Sequence, residues 1–580
     1  MGGKDNEPNA EGVFSPLEGG AYSGSPSNAQ SKRYNLIWGG VSVFLLLNII
    51  ALYILHFVDR GNSGDSVTGT FSTSDLSANA QSASKGQAVS YTTDGQLTPG
   101  AGTTAYLSAT TLPSEDQYLA YIKFAPLGTS ESAYASNIIS FQTGTSPDIS
   151  ATVTVLTTDA DTKTVSIADA GSSNIFSGST VKGLTTLSDT LATALTTVTD
   201  ESFTTTTSVT PVKINDGSVS VQQSQTVVAY NTSSTTFMTR VSDTSFALVY
   251  YESYLVSPYY QRIVIGTVAD DGSISFSDSL EFGNANDATL TTTFGTPQSV
   301  FNTSNTVTVP WYVDASSSTN GTSSSVGSVV SPIYFVDSAK ISETVIALSY
   351  FDTANNYALT VSLVEFSSIS GSPSFRGSYV IDESVGKIDF GSATGFYPTP
   401  IVRVLPNNRL AVGFLNPANS GKPSIKVLTY SSDLTLSEES PVLPVANADF
   451  SVASADPKAA GSIVLDVVAT ETGALIGYAG LWAGSQNQRV ALVESYGKPV
   501  GIVSNVDGSD LDVALSGTVD VSSSSLVKGT TYYSSTEGTL YAASTASTNN
   551  YILANDNSIV ISKDALVGVA ISDAKLVVTV

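Results

Sequence analysis

Two stretches of this chain, Leu410-Ala-Val-Gly-Phe414 and Ala474-Leu-Ile-Gly-Tyr478, are short apolar runs that end on an aromatic residue. Similar runs occur at 246–250 and 346–350. The terminal aromatics at 350, 414 and 478 are 64 residues apart, and the one at 250 precedes them by 100. Each run follows a cluster of Asp, Asn, Glu, Ser, Thr or Pro, the residue types typical of tight turns. Each run is therefore predicted to be the second strand of a β-hairpin.

Further apolar segments flank these strands at nearly constant offsets, as expected for a structural repeat. Earlier arms lie at 237–241, 333–336, 401–405 and 464–468, later partners at 263–268, 359–364, 425–430 and 490–493, and fourth strands at 273–276, 374–379 and 434–436. Four antiparallel strands per repeat is the unit of a propeller blade. A row of β-sandwiches is the alternative, but 64 residues is short for a domain of about 100 residues. The sequence predicts an all-β fold, a propeller of about six or seven four-stranded blades over 101–497.

On this repeat anatomy the chain resembles the irregular β-propellers of cell-surface and secreted proteins, over about residues 101–505. A weaker copy starts at Tyr106, with strands at 118–121 and 138–141, and a degenerate blade is expected at 150–210. The segment 277–331 is either another blade or an insertion. Residues 498–580 are predicted to form a separate small β module. Its runs Gly-Thr-Thr-Tyr-Tyr (529–533) and Val-Gly-Val-Ala-Ile-Ser (567–572) resemble small end modules of phage tail fibres, which implies attachment or assembly. A plain terminal β cap is the alternative.

The N-terminal part carries a membrane signal. Residues 36–58 form a run without Asp, Glu, Lys or Arg. This run is long enough to cross a bilayer as a helix. Lys32 and Arg33 precede this run, so the basic bias places the N-terminus in the cytoplasm. We predict a disordered cytoplasmic tail (1–34), a signal-anchor helix (35–58), a Ser/Thr/Gly-rich stalk (59–100) and an extracellular or lumenal C-terminal domain. The expected location is the plasma membrane or another membrane of the secretory pathway.

Composition excludes several functions. The 580 residues include 50 acidic and 24 basic side chains, a net charge of −26, and such a surface disfavours nucleic acid. There is no cysteine, and the one histidine, His56, lies in the predicted anchor. Thiolate zinc sites and Ser-His catalysis are therefore excluded from the β domain. We do not predict an enzyme. The alternative is a glycoside hydrolase that uses acidic residues, since this chemistry needs neither His nor Cys.

Several residues are candidates for sites. Sequons place N-glycosylation at Asn231, Asn302 and Asn320. Aromatic side chains suited to sugar rings or protein partners, with one arginine, are Tyr254, Tyr259, Tyr260, Arg262 and Trp311; blade packing is the alternative. Asp507, Asp510 and Asp512 are close enough in sequence to share a Ca²⁺, with an exposed acidic turn as the alternative. No other cofactor is predicted.

Two further patterns involve acidic residues in the repeats. Glu252, Asp352 and Asn416 occupy the same place, two residues after the strand aromatic, and could ring one face of the propeller. Turn residues of the hairpins are the alternative. Asp270-Asp271-Gly272 followed by Ser-Ile-Ser-Phe276 resembles the structural aspartate box of sialidase-like propellers, out of register by one residue.

These features predict a single-pass type II surface protein whose β-rich domain binds or adheres to a glycan, a matrix component or a protein partner. The alternatives are the carbohydrate-active hydrolase and a structural coat or appendage subunit.

Overall fold

The computed structural model describes thirty stretches of the chain between residues 66 and 580. These are 66–72, 75–76, 83–92, 95–107, 119–127, 137–144, 151–159, 162–167, 173–174, 180–199, 205–215, 218–229, 237–251, 259–277, 280–285, 333–342, 344–352, 355, 358–366, 373–382, 400–416, 419, 422–446, 463–470, 472–480, 489–507, 510–521, 526–543, 551–554 and 558–580. Ser66–Val580 form one compact unit. The predicted tail (1–34) and anchor (35–58) lie outside the described residues. Within those residues, no helix has the length and apolar character needed to span a membrane.

Four strands precede the repeats: β1 (Val67–Phe71), β2 (Ala88–Tyr91), β3 (Leu97–Pro99) and β4 (Thr103–Tyr106). The first three of these strands lie within residues 59–100, for which the sequence predicted an extended stalk. The reason is that their partners are supplied by the far C-terminus, as β1 pairs with strand residues 511–516 and β2 with 501–502. A Ser/Thr-rich segment with few large apolar residues gives no local sign of such pairing.

The repeats then form successive antiparallel sheets. The strands of the first blade are β5 (Leu119–Pro126), β6 (Asn137–Gly144), β7 (Ala151–Asp159), β8 (Thr164–Ile167) and β9 (Ser173–Asn174). Those of the second are β10 (Thr180–Ser188), β11 (Leu191–Thr199), β12 (Thr205–Asn215), β13 (Ser218–Val221) and β14 (Gln225–Ala229). Those of the third are β15 (Phe237–Arg240), β16 (Ser245–Tyr251), β17 (Tyr259–Val268), β18 (Ile274–Phe276) and β19 (Leu280–Ala285).

The remaining three blades follow in the same order. The fourth has β20 (Ile333–Lys340), β21 (Val345–Asp352), β22 (Ala358–Phe366) and β23 (Pro373–Asp382). The fifth has β24 (Ile401–Leu405), β25 (Arg409–Asn416), β26 (Lys422–Tyr430), β27 (Leu436–Glu438) and β28 (Leu443–Pro444). The sixth begins with β29 (Ile463–Ala469), β30 (Gly473–Gly480) and β31 (Arg489–Ser495). The all-β prediction is confirmed, and the described residues build six blades.

In the described residues, the first strands of neighbouring blades are in contact at five junctions. β5 contacts β10, β10 contacts β15, β20 contacts β24, β24 contacts β29, and β29 returns to β5. Apolar clusters fill the space between neighbouring blades, for example between the fourth and fifth (Val361, Leu363, Val412, Phe414). The repeated motif explains this packing: a Cβ on Gly413 would lie 2.5 Å from Val467 Cγ2 of the next blade. At Gly413 a small residue before the aromatic is required because the first strand of the next blade packs there.

Some predicted boundaries are corrected. The degenerate blade expected at 150–210 divides between the first and second blades, because Thr-rich strands such as β11 and β12 hide the alternation of buried and exposed positions. Leu434 was predicted to begin a fourth strand, but it lies in a turn with a φ of 63°, and β27 begins at Leu436. The sixth blade takes its fourth strand from β4, which pairs with β31 (Leu492↔Tyr106 to Ser495↔Thr103).

The C-terminal strands are β32 (Gly501–Asp507), β33 (Asp510–Asp520), β34 (Thr531–Ser534), β35 (Leu540–Ala542), β36 (Tyr551–Ala554), β37 (Ile559–Ser562), β38 (Leu566–Ala570) and β39 (Lys575–Val578), with a 3₁₀ turn at Lys563–Ala565. Most of them join β1–β3 in a nine-stranded sheet in the order β3-β2-β32-β33-β39-β38-β34-β35, with β1 on β33. We call this the terminal sheet. β37 and β36 instead extend the sixth blade beyond β4. The predicted boundary at 497/498 is thus crossed by the pairing of β37 with β4, and the likeness to fibre end modules stays a prediction.

The two ends of the propeller differ. At one end, which we call the hairpin end, most turns between first and second strands are short, such as 189–190, 241–244 and 406–408. Asn407 and Asn408 both have positive φ there, as tight primed turns require. The opposite end, the loop end, is where the first strands begin, and connections 286–332, 383–400 and 445–462 join strand ends there. The terminal sheet is reached from the hairpin end, where β31 and β37 finish.

Candidate functional site

Charged side chains from three adjacent first strands meet at the centre of the ring. Asp337 on β20 and Asp466 on β29 pair across their hairpins with Ser349 and Gly477, which hold the same place in the repeat. Arg403 on the intervening β24 reaches both. Its Nη1 lies 2.7 Å from Asp337 Oδ2 and its Nη2 lies 3.5 Å from Asp466 Oδ1.

Backbone groups complete this network. Val402 N donates to Asp337 Oδ2 at 3.0 Å, and Phe124 N donates to Asp466 Oδ2 at 2.7 Å. Arg403 Nε donates to Val467 O at 2.8 Å. Each of these bonds joins the first strand of one blade to the first strand of the next. Together they span the junctions between the fourth and fifth, the fifth and sixth, and the sixth and first blades. The network therefore fixes the relative register of neighbouring blades.

Burial determines the electrostatics. Asp466 is 1% and Asp337 9% exposed, whereas Arg403 is 21% exposed. Burial raises the pKa of Asp337, although Arg403, the Val402 amide and Lys123 oppose that rise. Burial also acts to lower the pKa of Arg403, but the two carboxylates outweigh it and the pKa is raised. Arg403 stays charged, and the cluster can hold a proton on Asp337 more readily than an exposed aspartate would.

The loop end gathers most of the sequence-predicted ligand residues. The N-terminal half of β17 contains Tyr259, Tyr260 and Arg262. Arg262 pairs there with Tyr250 of β16 and with Glu281 of β19. Tyr254 precedes them in the connection 252–258, and Trp311 belongs to the connection 286–332; both residues lie outside the described part. Both connections join strand ends at the loop end. The structure thus places Tyr259, Tyr260 and Arg262 at the loop end of the third blade, and a shared site with Tyr254 and Trp311 stays a prediction.

The predicted glycosylation sites follow the same path. Asn231 belongs to the connection between β14 and β15, and Asn302 and Asn320 to that between β19 and β20. All three asparagines lie outside the described residues, so glycosylation stays a prediction. The connections that carry them join strand ends at the loop end.

The predicted ring of acidic residues is partly placed. Asp352 ends β21 and Asn416 ends β25, at equivalent positions at the loop end. Asn416 is buried, and Glu252 lies outside the described residues. These positions terminate strands, as the turn interpretation expects.

The three aspartates of the predicted Ca²⁺ site belong to the hairpin β32–β33. Asp507 and Asp510 pair across its tip. Asp512 accepts hydrogen bonds from Thr70 Oγ1 at 2.7 Å and from Asn505 Nδ2 at 3.3 Å. In the described part of the chain, no three Asp, Glu, His or Cys side chains are grouped to hold a metal. Ca²⁺ binding here stays a prediction.

A turn built on an aspartate recurs at the hairpin end. The sequence analysis indicated the one at Asp271 but not the one at Asp433. Asp271 Oδ1 accepts from Ser273 N at 2.9 Å and Ser273 Oγ at 2.7 Å, which lowers the pKa of Asp271. Asp433 accepts from Ser431 and Thr435, and its pKa is lowered too. Both aspartates precede a residue with positive φ, Gly272 or Leu434. The shared pattern Asp-x-Ser/Thr-aliphatic would have located these turns, and their role is to end the third strand.

The ring of first strands, with one blade completed by strands from both chain ends, places the chain in the class of β-propellers. No protein-family model and no curated protein sequence matches it. Among solved structures it is similar to the β-propeller domain of the trilobed protease from Pyrococcus furiosus, described as having an open velcro topology (7% identity, 65% of this chain and 95% of that one, TM-score 0.32). It is also similar to a GH43_1 enzyme from Xanthomonas citri complexed with xylotriose (10%, 57% and 93%, 0.30) and to Trypanosoma rangeli sialidase in complex with sialic acid (6%, 74% and 59%, 0.30). Such values carry no activity over to this chain.

Proposed function

We propose that this chain is a recognition protein that binds an uncharged or basic ligand, a glycan or a glycosylated protein, at the loop end of its propeller. The observation that carries the proposal is the asymmetry between the two ends. Long connections join strand ends at the loop end, and Tyr254 and Trp311 belong in sequence to two of these connections, whereas the hairpin end has mostly short turns and is tied to the terminal sheet. Rigid scaffolds commonly present binding residues on such connections.

Charge narrows the ligand class. A net charge of −26 repels polyanions, so nucleic acid and strongly acidic glycans are disfavoured. Neutral sugars suit aromatic faces, which offer apolar contact with a polar rim. As part of this proposal, residues 35–58 anchor the chain in the plasma membrane or another membrane of the secretory route, with the propeller on the extracellular or lumenal side.

The test is a glycan-array and cell-surface binding screen with glycosylated residues 66–580, a fragment that contains the partners of every described strand. Tyr254→Ala and Trp311→Ala are expected to weaken binding of the selected glycan about tenfold or more, the scale of a lost aromatic anchor. Tyr91→Ala removes an aromatic that is 42% exposed on the terminal sheet and should leave binding unchanged. Equal loss in all three variants, or binding retained in both loop variants, would exclude the loop end.

Glycoside hydrolysis is a second candidate function. It is favoured because Asp337 and Asp466 both pair with the guanidinium of Arg403 and because the pKa of Asp337 is raised. Two carboxyl groups in different protonation states are what this reaction uses. Against it, both carboxylates are buried and accept backbone hydrogen bonds. A panel of aryl glycosides and oligosaccharides tests it: turnover by residues 66–580 that disappears in Asp466→Asn, with the fold retained, would establish hydrolysis. Absence of turnover on substrates that are bound would leave recognition as the function.

A further inference from the structure

The strand that closes the propeller is held from both sides. β4 pairs with β31 on its inner side, where Thr104 faces Glu494. On its outer side it pairs with β37, where Thr104 faces Ile561. The inner partner belongs to the repeat, whereas the outer partner belongs to the C-terminal segment. The closing strand is therefore enclosed by parts of the chain about four hundred residues downstream in sequence.

A buried polar chain links the same elements to the first blade. Glu494 is fully buried, and Lys163 Nζ, from the β7–β8 turn of the first blade, lies 2.9 Å from its carboxylate. Thr536 Oγ1 donates to Glu494 Oε2 at 2.9 Å, and the Tyr106 hydroxyl lies 2.8 Å from Thr536 Oγ1. A buried carboxylate is tolerated only when it is paired and hydrogen-bonded. Glu494 thus needs both the first blade and the C-terminal turn.

Backbone contacts add to this closure. Thr536 N donates to Thr104 Oγ1 at 3.1 Å, and Ala101 N donates to Ser535 O at 3.3 Å. Gly100 and Gly102 both have positive φ, and a Cβ on Gly100 would lie 1.9 Å from Thr536 O. The chain entering β4 is pressed against the turn 535–538, at a distance that only glycine allows.

We propose that the described parts of the segment 531–565 (531–543, 551–554 and 558–565) act as a lock that keeps the first and sixth blades together. They hold β4 in the sixth blade and, through Thr536, Glu494 and Lys163, hold the sixth blade against the first. Without the lock, β4 loses its outer partner and Glu494 keeps a single buried partner from another blade. The junction of β29 with β5, where the ring closes, then opens more often. This goes beyond ligand binding at the loop end and does not depend on it.

Hydrogen exchange of residues 66–580, followed by mass spectrometry, tests the lock with Thr536→Val. Loss of the two hydroxyl interactions is expected to speed exchange about tenfold in β4 and also in β5 and β29. Ser437→Ala removes an exposed hydroxyl pair with Thr429 and serves as the control, with no change in β5 or β29.

Tyr106→Phe removes one hydroxyl only and keeps the test available if Thr536→Val does not fold. It should give a smaller acceleration in the same three strands. Faster exchange confined to β4 and 531–565 in either variant, or unchanged exchange in β5 and β29, would overturn the proposal, since a local role predicts no effect at the ring junction.

Discussion

At the scale of single residues, Arg403 is the most connected cation of the described core. It satisfies two buried carboxylates and a backbone carbonyl of the next blade. Removing one member of a buried ion network leaves the other charges without compensation, which costs more than the intact network contributes. Arg403 therefore stabilises the fold mainly by compensating the buried charges of Asp337 and Asp466.

Arg403→Met should lower the free energy of unfolding of residues 66–580 by about 3–5 kcal/mol, because Asp337 and Asp466 would lose the guanidinium that pairs with both buried carboxylates. Denaturant unfolding measures this loss. Arg376→Met is the control, since Arg376 is half exposed and pairs with Glu365 at 2.6 Å; an exposed pair contributes at most about 1 kcal/mol. Similar losses in the two variants would mean that the central network is not a buried one.

The pKa of Asp337 gives a stability prediction with a definite sign. Because burial raises this pKa in the folded state, the folded protein binds the proton more tightly than the unfolded chain. The contribution is complete below the unfolded pKa of about 3.9 and is lost as pH rises through the folded pKa. The stability of the wild type relative to Asp337→Asn should therefore fall as the pH rises above about 4.

Asp271 supplies a control of opposite sign for this pH series. Ser273 lowers its pKa, so its contribution is present above the unfolded pKa and is lost as pH falls through the folded value. The wild type relative to Asp271→Asn should lose stability on acidification, by a small amount because Asp271 is exposed. Parallel pH profiles for the two variants would contradict the assignment for Asp337.

The central aspartates illustrate what sequence alone could not show. Asp337 precedes Ser349 by twelve residues and Asp466 precedes Gly477 by eleven, because the β20–β21 turn is one residue longer than the β29–β30 turn. That single residue hides their equivalence in any fixed-offset comparison. The charged partner, Arg403, is on another blade, so only the packing of adjacent blades brings the three residues together.

At the scale of strands, the repeated second strand was the most predictable element. The run before the aromatic is buried on both faces, so its sequence is continuously apolar. The turn residues on either side mark where the strand begins and ends. The closing strand β4 was not predictable. Its four residues, Thr-Thr-Ala-Tyr, carry no periodic signal, and its partners lie near residues 494 and 560.

The glycine before Tyr478 tests how tightly adjacent blades pack. A Cβ on Gly477 would lie 2.3 Å from the ring of Phe124 in the first blade, so Gly477→Ala should cost about 1–3 kcal/mol through overpacking. Thermal or denaturant unfolding measures it. Gly183→Ala is the matched control, since its Cβ would lie 3.6 Å from Leu195 and an alanine in a strand should be neutral or slightly stabilising. Equal stability of both variants would exclude close packing at the sixth-to-first junction.

At the scale of the whole molecule, the sequence predicted a stalk, a propeller and a C-terminal module as successive parts. The structure shares strands between them instead. Strands β1, β2 and β3 belong to the terminal sheet, and β36 and β37 belong to the sixth blade. Local composition reports which segments can form strands, but not which distant segment supplies the partner, so the boundaries at 100 and 497 could not be read from sequence.

This sharing predicts how residues 66–580 unfold. The terminal sheet cannot separate without withdrawing β4 and β37 from the sixth blade and breaking the hydrogen bond from Thr536 to the buried Glu494. The core of the fifth and sixth blades includes Ala105 of β4 and Val560 of β37, so calorimetry should show one transition, with a calorimetric enthalpy close to the van't Hoff value. Thr536→Val should lower the transition temperature of both parts together. Two resolved transitions, or a shift of one part only, would show that the terminal sheet folds independently and that the ring closes without it.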